Sequence, residues 1–154
     1  MKDNWAKRKT AKDLRAEGEV AKAREKRLRD VHLKETGGKG VFKQLHAWFE
    51  KTTKSYYEEM GKRRFEVGAI QPFGGPESHD FFKVTDAGRD RLPMKISYRS
   101  ANHEITGECG PSVPRPQYLL SVGDNGDLFF ETPKRQSKTI EQLGEELLDF
   151  WEGA

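Results

Sequence analysis

The stretch "HLKETGGKGVFKQL", residues 32–45, decides how the front of this chain is joined to the rest. Its glycines at positions 37, 38 and 40 separate two segments that each have helical character. Glycine loses more backbone freedom than any other residue when it enters a helix. The stretch therefore predicts an interruption, and we expect residues 36–40 to act as a glycine-rich hinge.

The same glycines also raise the question of an anion site. A phosphate-binding P-loop needs the pattern G-x-x-x-x-G-K-[ST] after a strand. Here a helical segment comes first, and no Ser or Thr follows Lys39. Backbone amides at the start of the next helix could still bind an anion. A bend in the backbone accounts for the glycines without a ligand, and we favour that interpretation.

Residues 1–35, before these glycines, are predicted to form a long basic helical arm. This segment contains no proline and is rich in strong helix formers. At about 1.5 Å per residue, 30 helical residues reach roughly 45 Å, whereas a domain of about 100 residues has a radius of gyration near 13 Å. We therefore expect part of the arm to project. Its apolar side chains form only a thin stripe: Leu14, Ala21 and Leu28, with Val20 and Val31 beside them.

Residues 41–154 are predicted to form an α+β domain. A helix from about Val41 to Met60 has a rich apolar face and Gly61 as its stop. Strand-like alternation follows, and Thr139 with Gln142 matches a capping box before a last amphipathic helix. The predicted fold is an antiparallel sheet of about five or six short strands, packed by two amphipathic helices and preceded by the long basic helix.

The clearest local signal is the hairpin around Asn125-Gly126. This dipeptide between two apolar runs predicts a two-residue type I′ turn, in which Val122 would face Phe129. Apolar residues in both strands fall on both faces of the sheet. An antiparallel sheet with one wet face would alternate cleanly, so we expect both faces to be covered.

Charge is divided unevenly along the chain. Residues 1–64 carry 19 basic and 10 acidic residues, net +9, whereas residues 65–154 carry 9 and 15, net −6. The basic residues expected to bind are Lys7, Arg8, Lys9, Lys22, Arg24, Lys26, Arg27 and Arg29. The acids expected to bind, all on the last helix, are Glu141, Glu145, Glu146, Asp149 and Glu152.

This polarity predicts a non-enzymatic binding, adaptor or assembly protein, whose basic arm docks on an acidic surface of a protein partner or of another copy. The alternative is a nucleic-acid-associated protein whose arm neutralises phosphates, although seven acids dilute the first 35 residues. A third option is a small-ligand pocket between sheet and helices, lined by Tyr98, Tyr118 and Trp48.

Catalytic and metal-binding patterns are weak throughout the sequence. The four histidines are scattered, and the single cysteine, Cys109, is read as a half-buried structural thiol. We therefore expect no catalytic residue, metal or cofactor. No apolar run approaches the roughly 20 residues that span a bilayer, and no apolar segment follows the basic start. Together with the lack of disulfides, these features predict a cytoplasmic protein without a membrane partner.

Overall fold

The computed structural model describes residues 2–75, 78–110 and 115–153. Two helices flank a sheet in the chain: α1 spans Lys2–Met60 and α2 spans Ile140–Gly153. Between them lie β1 (Phe65–Val67), β2 (Gln71–Phe73), β3 (His79–Asp86), β4 (Met94–Arg99), β5 (Glu104–Glu108), β6 (Gln117–Val122), β7 (Leu128–Glu131) and β8 (Ser137–Lys138).

Helix α1 runs unbroken through residues 36–40, so the predicted interruption is wrong. The reason lies in packing against the sheet. Gly38 is buried, and a Cβ added there would collide with the Tyr98 hydroxyl. A Cβ at Gly37 would meet the end of the Leu128 side chain. The glycines thus let the helix approach the sheet closely. The division into an arm (1–35) and an α+β domain (41–154) stays a prediction.

Two local signals at helix ends are confirmed. Helix α1 ends at Met60, and Gly61 has a φ of +68°, with its N–H donating to the Tyr57 carbonyl at 2.8 Å. This is the left-handed stop that glycine favours. At the start of α2, Thr139 and Gln142 exchange hydrogen bonds of 3.0 and 3.1 Å between side chains and backbone N–H groups. Helix termini in this chain therefore follow from nearby residues.

The strands form one antiparallel sheet, which confirms the predicted fold class. The strand order is β1-β3-β4-β5-β6-β7-β8, and β2 also pairs with β3. The predicted number of strands is wrong, because there are eight in the described part of the chain. The two that were missed, β2 and β8, have three and two residues, too few to show an alternating pattern.

Both helices pack on the same face of the sheet, but the first is not a separate helix as predicted. It is the C-terminal half of α1. The helical core residues are Phe42, Leu45, Phe49, Leu143, Leu147 and Trp151. The strand residues buried in the same core include Phe82, Val84, Met94, Ile96, Tyr98, Ile105, Tyr118, Leu120 and Phe130.

The opposite face of the sheet carries no helix among the described residues. Leu119 on that face is 41% exposed, and Phe81 and Phe129 are only half-buried. At the centre of this face the small residues Ser97 and Thr106 are nevertheless buried, so the expectation that both faces are covered fails at Leu119 and not across the whole face. The apolar residues on both faces of β6 and β7 do not indicate a second layer here.

The β6–β7 hairpin has a three-residue loop, so the predicted two-residue turn is wrong. Val122 pairs with Leu128, and Ser121 pairs with Phe129. The Gly123 N–H donates to the Asp127 carbonyl at 2.8 Å, and only Gly126 in the loop has a positive φ, +85°. This is a type I turn followed by a glycine bulge. The one-residue shift places Leu120 beside Phe130 in the core.

Substitutions at Gly38 and Gly40 should separate close packing from helix propensity. Gly38→Ala adds a methyl group where the Tyr98 side chain already lies, and we expect it to lower the free energy of unfolding by about 1–3 kcal/mol. A Cβ added at Gly40 has no atom within 4 Å, so in Gly40→Ala the better helix former, alanine, should raise the free energy of unfolding by about 1 kcal/mol. Urea denaturation followed by circular dichroism measures both. Equal stabilisation by the two alanines would contradict the role given to Gly38.

Candidate functional site

The N-terminal part of α1 is exposed on every side. Each of residues 4–29 is exposed, a length of 26 residues or about 39 Å of helix. One ion pair links this segment to the sheet, between Lys26 Nζ and Asp124 Oδ1 at 3.9 Å. Both side chains are largely in solvent, so the pair adds little stability. We call residues 4–29 the arm.

Five of the eight predicted basic residues form no ion pair with another described residue. Lys9 pairs with Asp13 at 3.1 Å, and Arg29 lies 4.0 Å from Asp30. These contacts join neighbours on the same helix and do not attach the arm to the domain. The five that form no ion pair within 4.0 Å of a described partner are Lys7, Arg8, Lys22, Arg24 and Arg27.

The arm also exposes its apolar stripe. Leu14, Val20 and Leu28 are 62–66% exposed, and Val31, just beyond the arm, is 49% exposed. Arg24 and Arg27 stand beside Leu28 and Val31 around a shallow surface depression. These four residues, which we call the arm patch, combine an apolar centre with two unpaired guanidinium groups. Grouped apolar side chains on a surface are typical of interaction sites.

The predicted acidic residues on α2 are not equivalent. Glu141, Glu145 and Asp149 are exposed and form no ion pair with any described residue. Glu146 instead binds Lys138 Nζ at 2.7 Å and accepts a 2.7 Å hydrogen bond from the Tyr118 hydroxyl. Burial tends to raise the pKa of Glu146, but Lys138 and the Tyr118 hydroxyl outweigh it, so the pKa is lowered.

The fifth acid, Glu152, lies 3.8 Å from Arg64. Within one chain the arm does not contact α2. The two helices meet at Trp48, which lies on α1 well beyond the arm and packs against Gly144 of α2. The free acids available to a partner are therefore Glu141, Glu145 and Asp149.

A groove of about 480 Å³ lies where α1, β7 and the start of α2 meet. Its polar side chains are mostly engaged: Lys138 is paired with Glu146, and Thr139 and Gln142 form the capping box. The exposed Glu141 lies between two lining residues of α2, and Glu145 follows one helical turn later. The lining residues are Val41, Gln44, Leu128, Phe129, Phe130, Ser137, Lys138, Thr139, Ile140 and Gln142.

The predicted aromatic ligand pocket is absent from this part of the structure, because its residues belong to the core. Tyr98 and Tyr118 are buried, and Trp48 packs against α2. The Tyr98 hydroxyl lies 3.1 Å from His103 Nδ1. Burial, and to a smaller degree the Asp80 charge, raise the pKa of Tyr98, while burial and the Lys34 charge lower the pKa of His103 despite Glu35. Burial thus favours the neutral forms of both groups.

A buried charge cluster centred on Asp86 was not found from the sequence. Its carboxylate is fully buried and accepts hydrogen bonds from Arg64 at 3.1 and 3.2 Å and from the Gly88 N–H at 3.0 Å. Arg91 Nε lies 3.2 Å away, and Arg91 also donates to the Trp151 carbonyl. The cluster ties the chain after α1 to β3 and to the end of α2. Because both carboxylate oxygens of Asp86 already accept hydrogen bonds, we assign this residue a structural role and no role in proton transfer.

Catalytic or metal chemistry has little support elsewhere in the described residues. Cys109 is buried, and burial raises the pKa of its thiol although Arg91 opposes the shift, so the reactive thiolate is disfavoured. Among residues 2–75, 78–110 and 115–153, no group of three His, Cys, Asp or Glu side chains could hold a metal ion. The same residues include no helix with the length and apolarity to cross a bilayer.

Removal of the Asp86 charge should destabilise the fold and change its response to acid. Asp86→Asn leaves two arginines without their buried partner, and we expect a loss of about 3–5 kcal/mol. Burial raises the pKa of Asp86, but the hydrogen bonds from Arg64 and Gly88 and the arginine charges bring it below its usual value.

Because the folded pKa is lowered, this stabilisation is complete above the unfolded value of about 3.9 and disappears as the pH falls through the folded pKa. Thermal unfolding below about pH 4 should therefore depend less on pH in Asp86→Asn than in the natural chain. The exposed Asp149→Asn is the matched control. If Asp86→Asn and Asp149→Asn lowered the free energy of unfolding equally, the Asp86 cluster would not stabilise the fold.

Comparison of the chain with models of known protein families, with curated proteins and with solved structures finds no match. The function must therefore be inferred from the arm, the groove and the charges described above.

Proposed function

We propose that this protein is a non-enzymatic binding protein, an adaptor or assembly subunit, whose arm docks on an acidic protein surface. The observation that carries the proposal is the exposure of residues 4–29, which present unpaired cations and apolar side chains away from the domain. A segment that does not contact its own core adds nothing to the stability of the monomer. Contact with a partner gives these side chains a role.

The continuity of α1 prepares the arm for binding. Forming the first turn of a helix is its unfavourable step, and the packed half of α1 already supplies that nucleus. The arm therefore extends an existing helix, with only Gly18 as a weak point. A segment that is ordered before binding loses less conformational entropy when it docks.

Charge and apolar contact would contribute differently to docking. Each exposed ion pair is worth only about 0–1 kcal/mol, so the cations alone give weak binding. Buried apolar area adds roughly 25 cal/mol per Å², and side chains such as Leu14 and Leu28 are available for it. We expect the apolar stripe to provide much of the affinity, and the cations to provide partner choice and fast association.

One feature supports the nucleic-acid alternative. Arg8, Arg15, Lys22 and Arg29 are spaced seven residues apart and fall along one side of α1. Such a line could contact phosphates. However, the region 65–154 has a net charge of −6 and would repel a phosphate backbone. Phosphate binding also leaves the apolar stripe without a partner, so we favour a protein surface.

Site-specific photo-cross-linking of the full chain tests the docking role. A cross-linker at Leu28 should form a protein adduct whose yield falls severalfold in Arg24→Glu/Arg27→Glu, because repulsion replaces attraction at an acidic surface. A cross-linker at Lys83, exposed on β3 on the sheet face opposite the helices, is the control, and its yield should not depend on those arginines. If the cross-linker at Leu28 forms no protein adduct, or if the yield of its adduct is the same in Arg24→Glu/Arg27→Glu, the proposed docking is wrong.

A gel shift with duplex DNA and with single-stranded RNA tests the alternative. We expect no shift at about 50 mM salt, because the arm mixes acids with its cations and the domain is acidic. A shift that weakens steeply as salt rises, and that is lost in Arg8→Glu/Arg15→Glu, would instead favour phosphate binding. The Lys51→Glu/Lys54→Glu variant, with the same charge change outside the arm, is the control.

A further inference from the structure

We infer that the acidic surface belongs to a second copy of this chain, and that the arm patch of each copy docks in the groove of the other. This inference rests on the proposed docking role of the arm and adds the identity of the partner. The arm patch is Arg24, Arg27, Leu28 and Val31, and the groove is the one between α1, β7 and the start of α2.

The arm cannot reach the groove of its own chain. The patch lies 10 to 17 residues before Val41, the first α1 residue that lines the groove, and α1 is continuous between them. That distance is about 15–26 Å along a rigid helix. Without a hinge at residues 36–40, the arm cannot fold back. A contact between patch and groove must therefore join two molecules.

The two surfaces match in polarity. The patch has an apolar centre, Leu28 and Val31, beside two arginines that have no ion pair among the described residues. The groove has apolar walls that include Val41, Leu128 and Ile140. The exposed acid Glu141 stands in the sequence between the lining residues Ile140 and Gln142, and the exposed Glu145 follows one helical turn later. Lys138, the cation in its lining, is neutralised by Glu146 at 2.7 Å.

The patch is also free on its own molecule. The β6–β7 hairpin approaches α1 at Lys26 and near Leu33. With 3.6 residues per turn, the directions of Lys26 and Leu28 around the helix axis differ by about 160°. The hairpin therefore supports the base of the arm from the side opposite the patch, and leaves Leu28 and Val31 open to a partner.

A two-fold arrangement fills both grooves at once. In an antiparallel pair of α1 helices that places the patch of one copy against Val41 of the other, about residues 8–29 of the first copy lie along about residues 40–60 of the second, up to the end of α1. The same patch-to-groove contact then forms twice, as an isologous interface requires. Exposed cations on one end of the chain and exposed acids on the other end are thereby paired.

Charge exchange in the full chain tests the inference. Size-exclusion chromatography with light scattering should show a dimer for the natural chain. Arg24→Glu/Arg27→Glu and, separately, Glu141→Lys/Glu145→Lys should each weaken the dimer by about tenfold or more, and all four changes together should restore most of it. All four residues are exposed, so folding should be retained. Lys83→Glu/Arg89→Glu, an equal charge change at exposed positions outside the arm and the groove, should leave the dimer intact.

Three outcomes would overturn the inference: a monomeric natural chain, no recovery in the fourfold variant, or equal loss in the Lys83/Arg89 control. These outcomes are separable from failure of the proposed function. A monomer whose Leu28 cross-links in an arginine-dependent manner to a different protein overturns self-association alone. A monomer whose Leu28 forms no protein adduct overturns both.

Discussion

The close approach of α1 to the sheet at Gly38 is the contact on which the rest of the structure depends. A glycine without a Cβ leaves room for the Tyr98 hydroxyl, and this packing holds the helix straight through residues 36–40. Helix continuity turns the N-terminal segment into a projecting rod. A helix broken there could instead have folded back onto the acidic helix α2.

The other end of the packed half of α1 is fixed by a different interaction. After Gly61 ends the helix, Arg64 binds the buried Asp86, and Arg91 joins the same carboxylate to the end of α2. A buried carboxylate is tolerated because its hydrogen bonds and two cations compensate its desolvation. Helix α1 is thus anchored near Gly38 and near Arg64, and the direction of the arm follows from these two points.

The same constraints lead to the proposed function. A rod that cannot return to its own domain keeps its cations and its apolar stripe exposed, while the exposed acids of α2 remain unpaired. Two copies related by a two-fold axis would satisfy both sets of side chains. In the proposed dimer, the attraction between the basic arm and the acids of α2 acts between two molecules, because the continuous α1 keeps these charges apart within one chain.

The sequence by itself determined the features that depend on neighbouring residues: the α+β class, the glycine stop at Gly61, the capping box at Thr139 and the basic character of the arm. Tertiary structure alone decided that Gly37 and Gly38 stay helical, that the Asn125-Gly126 hairpin has a three-residue loop, that Asp86 meets two arginines, and that Glu146 is used internally. Each of these depends on groups far apart in the chain. Local propensity cannot report them, because the free energy of close packing and of a buried ion pair appears only when distant segments meet.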